Sequence, residues 1–430
     1  MLLNCFQQYQ FGLFQQKIRD FGGADRAHND WMIHRRTSST AEMKRNAREG
    51  YNLHRRNHQW WREVYNDAPC PTTINCFPSE LYYDDKVDND RKEMEIDGCR
   101  VNFDFNYVTT LKSSRKKPKA QPTAELLRNS NAPRITPQTH GSFVECVFSP
   151  TSRVTVLYAS KDSDCPLLKQ IYESAYSDIG KGMEEALNDN DFKHVWERDH
   201  HAGGKYAAFG IGSMDVKQGK PFVLKNHDKF EQSKTITQSL SVIISSVAMA
   251  VLNYVPTAFK HNENLKRNNE RFSYPPIRKQ GWVSWFCNQI AVRRIGKGCT
   301  NGKEMNNNGN NNIVGLHIDT GDVSTMQPLV YIPRGGKKGI GGRVCNTELI
   351  VCEGRNGGKF VRIETNIPGY VCIVLLNSAE SLHGIIEADD LGDEDEDAYC
   401  TRIVPFITQH ILNYMMKNPG DVPIDKYEVI

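Results

Sequence analysis

The 430-residue chain lacks the features that would settle its class at once. It has no long apolar run free of polar residues. The most apolar window, Ser239–Val255, contains four serines and an asparagine and is shorter than a bilayer usually requires. It is expected to be a buried helix, with no membrane partner. The opening stretch Met1–Phe14 has neither the basic start nor the apolar block of a secretory signal. The twelve cysteines form no CxxC pair and have no regular spacing, which excludes a disulfide scaffold and points to reduced thiols in a cytosolic or nuclear compartment. No GxSxG and no GxxxxGK[ST] occurs, so serine hydrolases and P-loop enzymes find no support. Strong net charge is also missing. At +3 the whole chain is not a strongly basic binder.

The charge is unevenly spread. Residues 387–397 (EADDLGDEDED) hold eight acidic groups and no basic ones, which leaves a formal +11 on the rest of the chain. That remainder can face a polyanion, although charge of this kind favours contact without specifying a partner. Residues 1–140 are polar, rich in Asn, Gln, Arg and His, and weak in hydrophobic periodicity. Within them, residues 35–62 carry eight Arg or Lys and two acids, with Tyr51, Trp60 and Trp61 interleaved. Cations with flat rings suit a phosphate backbone and exposed bases. A solvated amphipathic helix has the same composition. Residues 112–123 read as a linker, and Arg115, Lys116, Lys117 and Lys119 form a short basic cluster of nuclear-localisation type. A nuclear or cytoplasmic location is expected.

From about residue 141 to 430 the chain reads as a globular domain. Ser142–Phe148 and Arg153–Ala159 alternate like strands. Pro166–Leu187 is expected to be one helix, with Pro166 in its first turn and Asp164 as its cap. Thr235–Tyr254 is a second, more buried helix. Between about 280 and 410 the pattern changes to short strand-like runs: Val283–Ile295, Leu349–Glu353, Phe360–Thr365, Val371–Leu376 and Tyr399–Thr408. Turn signals such as Gly335-Gly336, Gly357-Gly358 and Pro368-Gly369 separate them. Many short strands with turn signals indicate a sandwich or barrel. The run 305–312 (MNNNGNNN) is a low-complexity insertion. His410–Lys417 is expected to close the domain as a short helix. The fold class expected is α+β: a β-sandwich or barrel braced by helices, preceded by a polar, irregular region.

Chemistry concentrates in the strand-rich third. His317 and Asp319 are separated by one residue, so in an extended segment both project to one face. His383 lies 66 residues on, directly after the apolar run Val371–Leu376. Two imidazoles and one carboxylate on one face of an octahedral ion leave three sites open, the arrangement of non-haem Fe(II) oxygenases. A bidentate acid in those open sites would bury a distal carboxylate, which requires a cation. Arg402, on the following strand-like run, is placed to supply a bidentate guanidinium.

This order of strand, HxD, strands, distal His and Arg resembles the Fe(II)/2-oxoglutarate dioxygenase superfamily over about residues 280–410. Thr365–Ile385 (TNIPGYVCIVLLNSAESLHGI) is similar to that family's succession of Gly turn, apolar strand and metal-binding His. The resemblance implies a double-stranded β-helix, or jelly roll, with Fe(II) on His317, Asp319 and His383, 2-oxoglutarate on Arg402, and O2 as the oxidant. The Arg lies 19 residues past the distal His, further than is usual in the family, with the acidic stretch between them. The run His317–Asp322 (HIDTGD) adds a second carboxylate, Asp322. It is similar to the HxDxxD of an algal relative in the TET/J-binding-protein branch, where the last acid assists ascorbate in modifying 5-methylcytosine. That likeness would make Asp322 a co-substrate residue and ascorbate the co-substrate. Without it, Asp322 caps a turn with Gly321.

The branch resemblance implies a 5-methylpyrimidine in DNA as substrate, flipped out of the helix to reach the metal. Arg293, Arg294, Arg334, Lys337 and Lys338 are candidates for phosphate contacts, the last three from the basic glycine-rich segment Tyr331–Arg343, read as a loop. The acidic stretch opposes DNA if it lies at the same mouth. A hydroxylase of the same fold acting on protein or a small molecule, and a catalytically inactive jelly-roll module that binds nucleic acid, remain alternatives.

Overall fold

The computed structural model describes residues 69–75, 80–83, 92–96, 99–103, 132–149, 152–188, 205–215, 220–224, 232–268, 285–295, 314–319, 321–334, 347–353, 358–387 and 399–417. The basic segment 35–62, the cluster 115–119, the insertion 305–312, Lys337, Lys338 and residues 388–398 of the acidic stretch lie outside them.

Four short strands precede the main body: β1 (Thr72–Asn75), β2 (Glu80–Tyr83), β3 (Lys92–Ile96) and β4 (Cys99–Phe103). They fall in the region whose polar sequence shows no strand periodicity. The body continues with β5 (Arg134–Ile135), β6 (Phe143–Ser149), β7 (Ser152–Ser160), β8 (Lys205–Asp215) and β9 (Lys220–Val223). Eight strands follow: β10 (Gln289–Ile295), β11 (Val314–His317), β12 (Gln327–Arg334), β13 (Thr347–Cys352), β14 (Gly358–Glu364), β15 (Tyr370–Leu376), β16 (His383–Glu387) and β17 (Tyr399–Phe406).

These strands form two sheets, each mainly antiparallel. The larger has the order β1-β6-β7-β15-β12-β17-β10-β8-β9, and the smaller β11-β16-β13-β14-β2-β3-β4 with β5 also on β14. From β10 to β17 the chain changes sheet at every step except the β13–β14 hairpin. Four strands of one sheet (β15-β12-β17-β10) thus face four of the other (β11-β16-β13-β14), which is the winding of a double-stranded β-helix.

Alternation along the strands builds two cores. Inward residues such as Val156, Tyr158, Tyr331, Val374, Leu349, Val351 and Val361 pack between the sheets. Outward residues of the larger sheet, among them Leu157, Val330, Ile373 and Ile403, pack against helices. The turn into β15 is set locally: the Tyr370 amide donates to the Ile367 carbonyl, with Pro368 and Gly369 between them and Gly369 at φ 80°. That is a type II turn, whose third position needs a left-handed residue.

The helix Lys234–Tyr254 is the centre of the outer core. It is long and apolar enough to cross a membrane, and 78% of its apolar window is buried within the molecule. Ser233 caps it by accepting the Ile236 amide. Two of its buried serines find acceptors locally: Ser239 donates to the Thr235 carbonyl and Ser246 to the Val242 carbonyl. The Ser246 hydroxyl also lies 3.1 Å from that of Ser174 on a neighbouring helix. Small side chains allow that close approach.

The expected single helix from Pro166 is two, Pro166–Tyr176 and Asp178–Asn188. Its start is capped at Cys165, without a side-chain bond, and not at Asp164. The break at Ser177 has a tertiary cause. The Tyr176 hydroxyl donates to the Pro333 carbonyl at 2.6 Å and lies 3.2 Å from the Tyr370 carbonyl oxygen, which ties the end of the first helix to the sheet. The second helix starts so close that a Cβ on Gly180 would lie 2.1 Å from the Ala175 carbonyl oxygen.

Candidate metal centre

β11 ends at His317, and β16 begins at His383. The two residues are direct partners across the antiparallel pair, so their side chains share a face. β11 shifts register between Val314 and His317, an irregularity of the kind that re-aims a strand end beside a site. Asp319, two residues on, reaches the same point. Its carboxylate oxygens lie 3.6 Å from His317 Nε2 and 3.4 Å from His383 Nε2. One donor atom from each of the three residues lies within 4.8 Å of the others.

The surroundings favour a cation. His383 is 1% exposed, and its Nδ1 lies 2.9 Å from the Ser381 carbonyl oxygen. A carbonyl only accepts, so Nδ1 donates to it and Nε2 is the ring nitrogen turned toward the Asp319 carboxylate. That buried nitrogen has no hydrogen bond and meets the Asp319 carboxylate, itself an acceptor. A metal ion satisfies both. His317 and Asp319 have side chains 23% and 42% exposed, so the cluster opens to solvent on their side. Burial pushes the Asp319 carboxyl up, but the contact with His383 and the charges of His317 and Arg402 outweigh it and hold the group well below the usual carboxylate range.

The turn before β16 holds the HxD loop in place. The Ser378 carbonyl accepts the Asp319 amide at 3.0 Å, and its hydroxyl donates to Asp322 Oδ2 at 2.9 Å. Asn377 donates to the Ser324 hydroxyl, which donates to Glu380. From the other side, the Gln409 amide donates to the Gly321 carbonyl, and Asp322 bridges to Thr408. Sequence reasoning did not find Ser378 or Ser381. Backbone carbonyls do half of their work, and those leave no mark in side-chain identity.

Asp322 sits in this loop with one carboxylate oxygen engaged by Ser378. Burial, and then the negative charge of Asp319, raise its carboxyl well above the ordinary value, against the Ser378 hydrogen bond.

The inner face of the larger sheet carries the basic residues nearest the cluster. Arg402 on β17 is the direct partner of Tyr331 on one side and of Arg293 on the other. Its guanidinium carbon lies 5.4 Å from the Tyr331 ring centre. Arg402 Nε and the Tyr331 hydroxyl are buried without hydrogen-bond partners. Burial pushes the Tyr331 phenol up to about 12, with Arg402 and Arg293 opposing.

Other predicted contacts fall elsewhere. Arg294 points to the opposite face, with its guanidinium 4.4 Å from the Tyr399 ring centre. Arg334 is not in a loop. It ends β12, is buried, and lies over the Tyr176 ring with a 3.5 Å contact to the Gly180 carbonyl. Both belong to the helix-covered face, a sheet thickness away from the triad. β12 extends to Arg334 although Pro328 and Pro333 interrupt its pattern, because Pro328 is partnered by β15 alone and Pro333 by β17 alone, so neither has to donate on two sides.

No family model and no curated protein matches the chain. Among solved structures it is similar to a bsmA homolog from Methylobium petroleophilum at 15% identity and a TM-score of 0.27, covering 55% of this chain and 85% of that one. It is similar to OsALKBH1 at 12% identity and a TM-score of 0.30, covering 61% and 99%. It is also similar to a full-length Neurospora crassa protein in complex with alpha-KG, at 11% identity and a TM-score of 0.25, covering 59% and 74%. Overlaps this loose leave the description of the fold to the strand order and that of the site to its own side chains.

Proposed function

We propose that the chain is a non-haem Fe(II)-dependent dioxygenase that uses 2-oxoglutarate and O2 to oxidise a C–H bond. The observation that carries this reading is the His317–Asp319–His383 cluster, with His383 fixed by the Ser381 carbonyl so that its Nε2 faces the Asp319 carboxylate. Two imidazoles and one carboxylate on one face are the donor set of Fe(II) oxygenases, with the remaining positions left to co-substrate and O2. Iron, when bound, supplies the activation of O2 that couples decarboxylation of 2-oxoglutarate to oxidation of the substrate.

The protein's part is binding and exclusion. His317, Asp319 and His383 would hold the ion. Arg402 would meet the distal carboxylate of the co-substrate, and the Tyr331 hydroxyl beside it would add a donor. Leu329, Val374 and Leu376 line the interior behind them and keep water out.

For the substrate we favour the methyl group of a 5-methylpyrimidine in DNA. The formal +11 outside the acidic stretch and the Trp-bearing basic segment 35–62 support contact with a nucleic acid, and the cluster 115–119 supports a nuclear site of action. The reading is tested under anaerobic conditions by adding Fe(II) and then 2-oxoglutarate and following the visible metal-to-ligand absorption. His317→Ala is the control. A band in the parent and none in the variant is expected, followed by turnover of methylated oligonucleotides once O2 is admitted. Iron-dependent consumption of ascorbate without a 2-oxoglutarate band would move the assignment to an ascorbate enzyme and to Asp322. Turnover of peptides in place of DNA would replace the substrate and keep the chemistry.

A further inference from the structure

Gln327 opens β12 as the direct partner of Leu376 on β15. Leu329 and Tyr331 on the same strand pack between the sheets, while Met326 and Val330 belong to the helix-covered core. Alternation therefore turns Gln327 inward. The turn that follows Leu376 holds Asp319 and Asp322 through Ser378, so Gln327 lies at the metal end of the interior. Its carboxamide is only half used. Nε2 donates to the Val323 carbonyl at 3.4 Å. A carbonyl only accepts, so the nitrogen must face it and the oxygen must face away. That oxygen, Oε1, is buried without a hydrogen-bond partner in a residue 1% exposed. Native interiors rarely leave such an acceptor unpaired. On the neighbouring strand the interior is open. Ile403 and Pro405 of β17 are buried, but Arg402, Val404 and Phe406 on its inner face are each partly exposed.

Resting on the DNA dioxygenase reading above, we propose that Gln327 is a specificity-determining residue that reads the substituent at C4 of the flipped base. It selects 5-methylcytosine over thymine. The chemistry of the ring makes the choice. The methyl group to be oxidised is on C5, so the C4 substituent is its neighbour and lies with it at the metal end of the pocket. In 5-methylcytosine that substituent is an amino group, which donates to Oε1. In thymine it is a carbonyl oxygen, which meets Oε1 lone pair to lone pair. The open inner face of β17 leaves room for the ring, and Phe406 offers it a flat surface on which to stack.

The test is a competition between two single-stranded oligonucleotides of one sequence, carrying 5-methylcytosine or thymine at the same position. The full chain is used with saturating Fe(II) and 2-oxoglutarate, and the early product ratio gives the ratio of kcat/KM values. Single strands remove the difference in base pairing. The parent is expected to favour 5-methylcytosine by about tenfold to a hundredfold, the worth of pairing a buried acceptor against leaving it unpaired. Gln327→Met keeps the length of the side chain without the acceptor and should bring the ratio close to one. Ser378→Ala loosens the HxD loop without touching the base, and should slow both reactions while keeping the ratio. A parent that turns over both bases equally, or favours thymine, would overturn the role of Gln327 and leave the dioxygenase reading standing. That measurement needs no variant to fold. A preference that survives in Gln327→Met would overturn the role as well. Turnover of neither base, with the 2-oxoglutarate absorption band present, would overturn the DNA reading and this proposal with it. Absence of the band in the parent would overturn the dioxygenase reading itself.

Discussion

The Ser381 carbonyl oxygen lies 2.9 Å from His383 Nδ1, and this contact sets which nitrogen of His383 is available to a ligand. Nδ1 is engaged by the carbonyl, so Nε2 is the nitrogen turned to the Asp319 carboxylate and the His317 ring, whose centre is 4.4 Å from that of His383. His383→Gln keeps a polar side chain of similar reach but loses the imidazole nitrogen aimed at the ion. Mn(II) or Co(II) affinity should fall by more than the roughly tenfold to hundredfold typical of losing an outer partner. The melting temperature of the metal-free protein should also fall, since His383 is buried, bonds the Ser381 carbonyl through Nδ1 and lies against the Asp319 carboxylate. Calorimetry and a thermal melt on the same sample check both. Unchanged metal affinity would remove His383 from the ligand set.

Ser378 binds no metal in this scheme, yet it holds both acids of the HxD loop. Its hydroxyl is needed for Asp322 and its carbonyl for Asp319. Ser378→Ala removes only the first. Metal affinity should weaken by about tenfold, the lower end for an outer partner. Ser378→Thr keeps the hydroxyl and should restore it. Equal affinity in Ser378→Ala and the parent would show that the backbone contacts alone set the loop.

The three residues of the His317–Asp319–His383 cluster are legible in the sequence because their signal is local. His317 and Asp319 need only an extended segment to share a face, and His383 follows an apolar strand that alternation reveals. The core strands and the helix Lys234–Tyr254 are legible for the same reason. What escapes depends on distant parts of the chain. The helix break at Ser177 follows from Tyr176 reaching Pro333 and Tyr370, more than 150 residues away in sequence. β12 is obscured by its two prolines, and Arg334 reads as a loop residue because glycines follow it. The pairing of Arg293 with Arg402 exists only in the register of two strands and cannot be read from either one.

A buried ion cluster outside the site tests the stability of the smaller sheet. Glu348 on β13 is fully buried, with Arg362 Nε 2.7 Å from one carboxylate oxygen and Arg134 Nε 2.5 Å from the other. It joins β5 to β13 and β14. Removing the anion leaves Arg362 buried beside a second cation. Glu348→Ala should therefore cost about 3–5 kcal/mol of unfolding free energy, the usual loss when one partner of a buried ion pair is removed. Replacing Glu348 and Arg362 together by leucine should cost less than Glu348→Ala alone, because no uncompensated charge remains. Denaturant unfolding of the three proteins decides the matter. A double variant less stable than the single one would mean that the cluster stabilises the sheet by more than charge balance.

The two acids of the HxD loop predict a pH dependence of stability in the metal-free protein. Burial and the charge of Asp319 raise the Asp322 carboxyl above its ordinary value of 3.8. Between that value and the raised one, the folded chain keeps a proton that the unfolded chain has released. Stability therefore falls as pH rises through this window, and is unaffected by the group at pH values below it. Asp322→Asn has no proton to lose there, and its amide oxygen can still accept from Ser378. The variant should gain stability over the parent progressively from about pH 4 upward, with the two converging at the acid end. Mn(II) at the triad offsets the Asp319 charge and should shrink the difference. Urea titrations at pH 4.5, 6 and 7.5, with and without Mn(II), measure it. A stability difference that stays constant across the three pH values would show that Asp322 is ionised at all of them and sits in the loop only as the acceptor for Ser378.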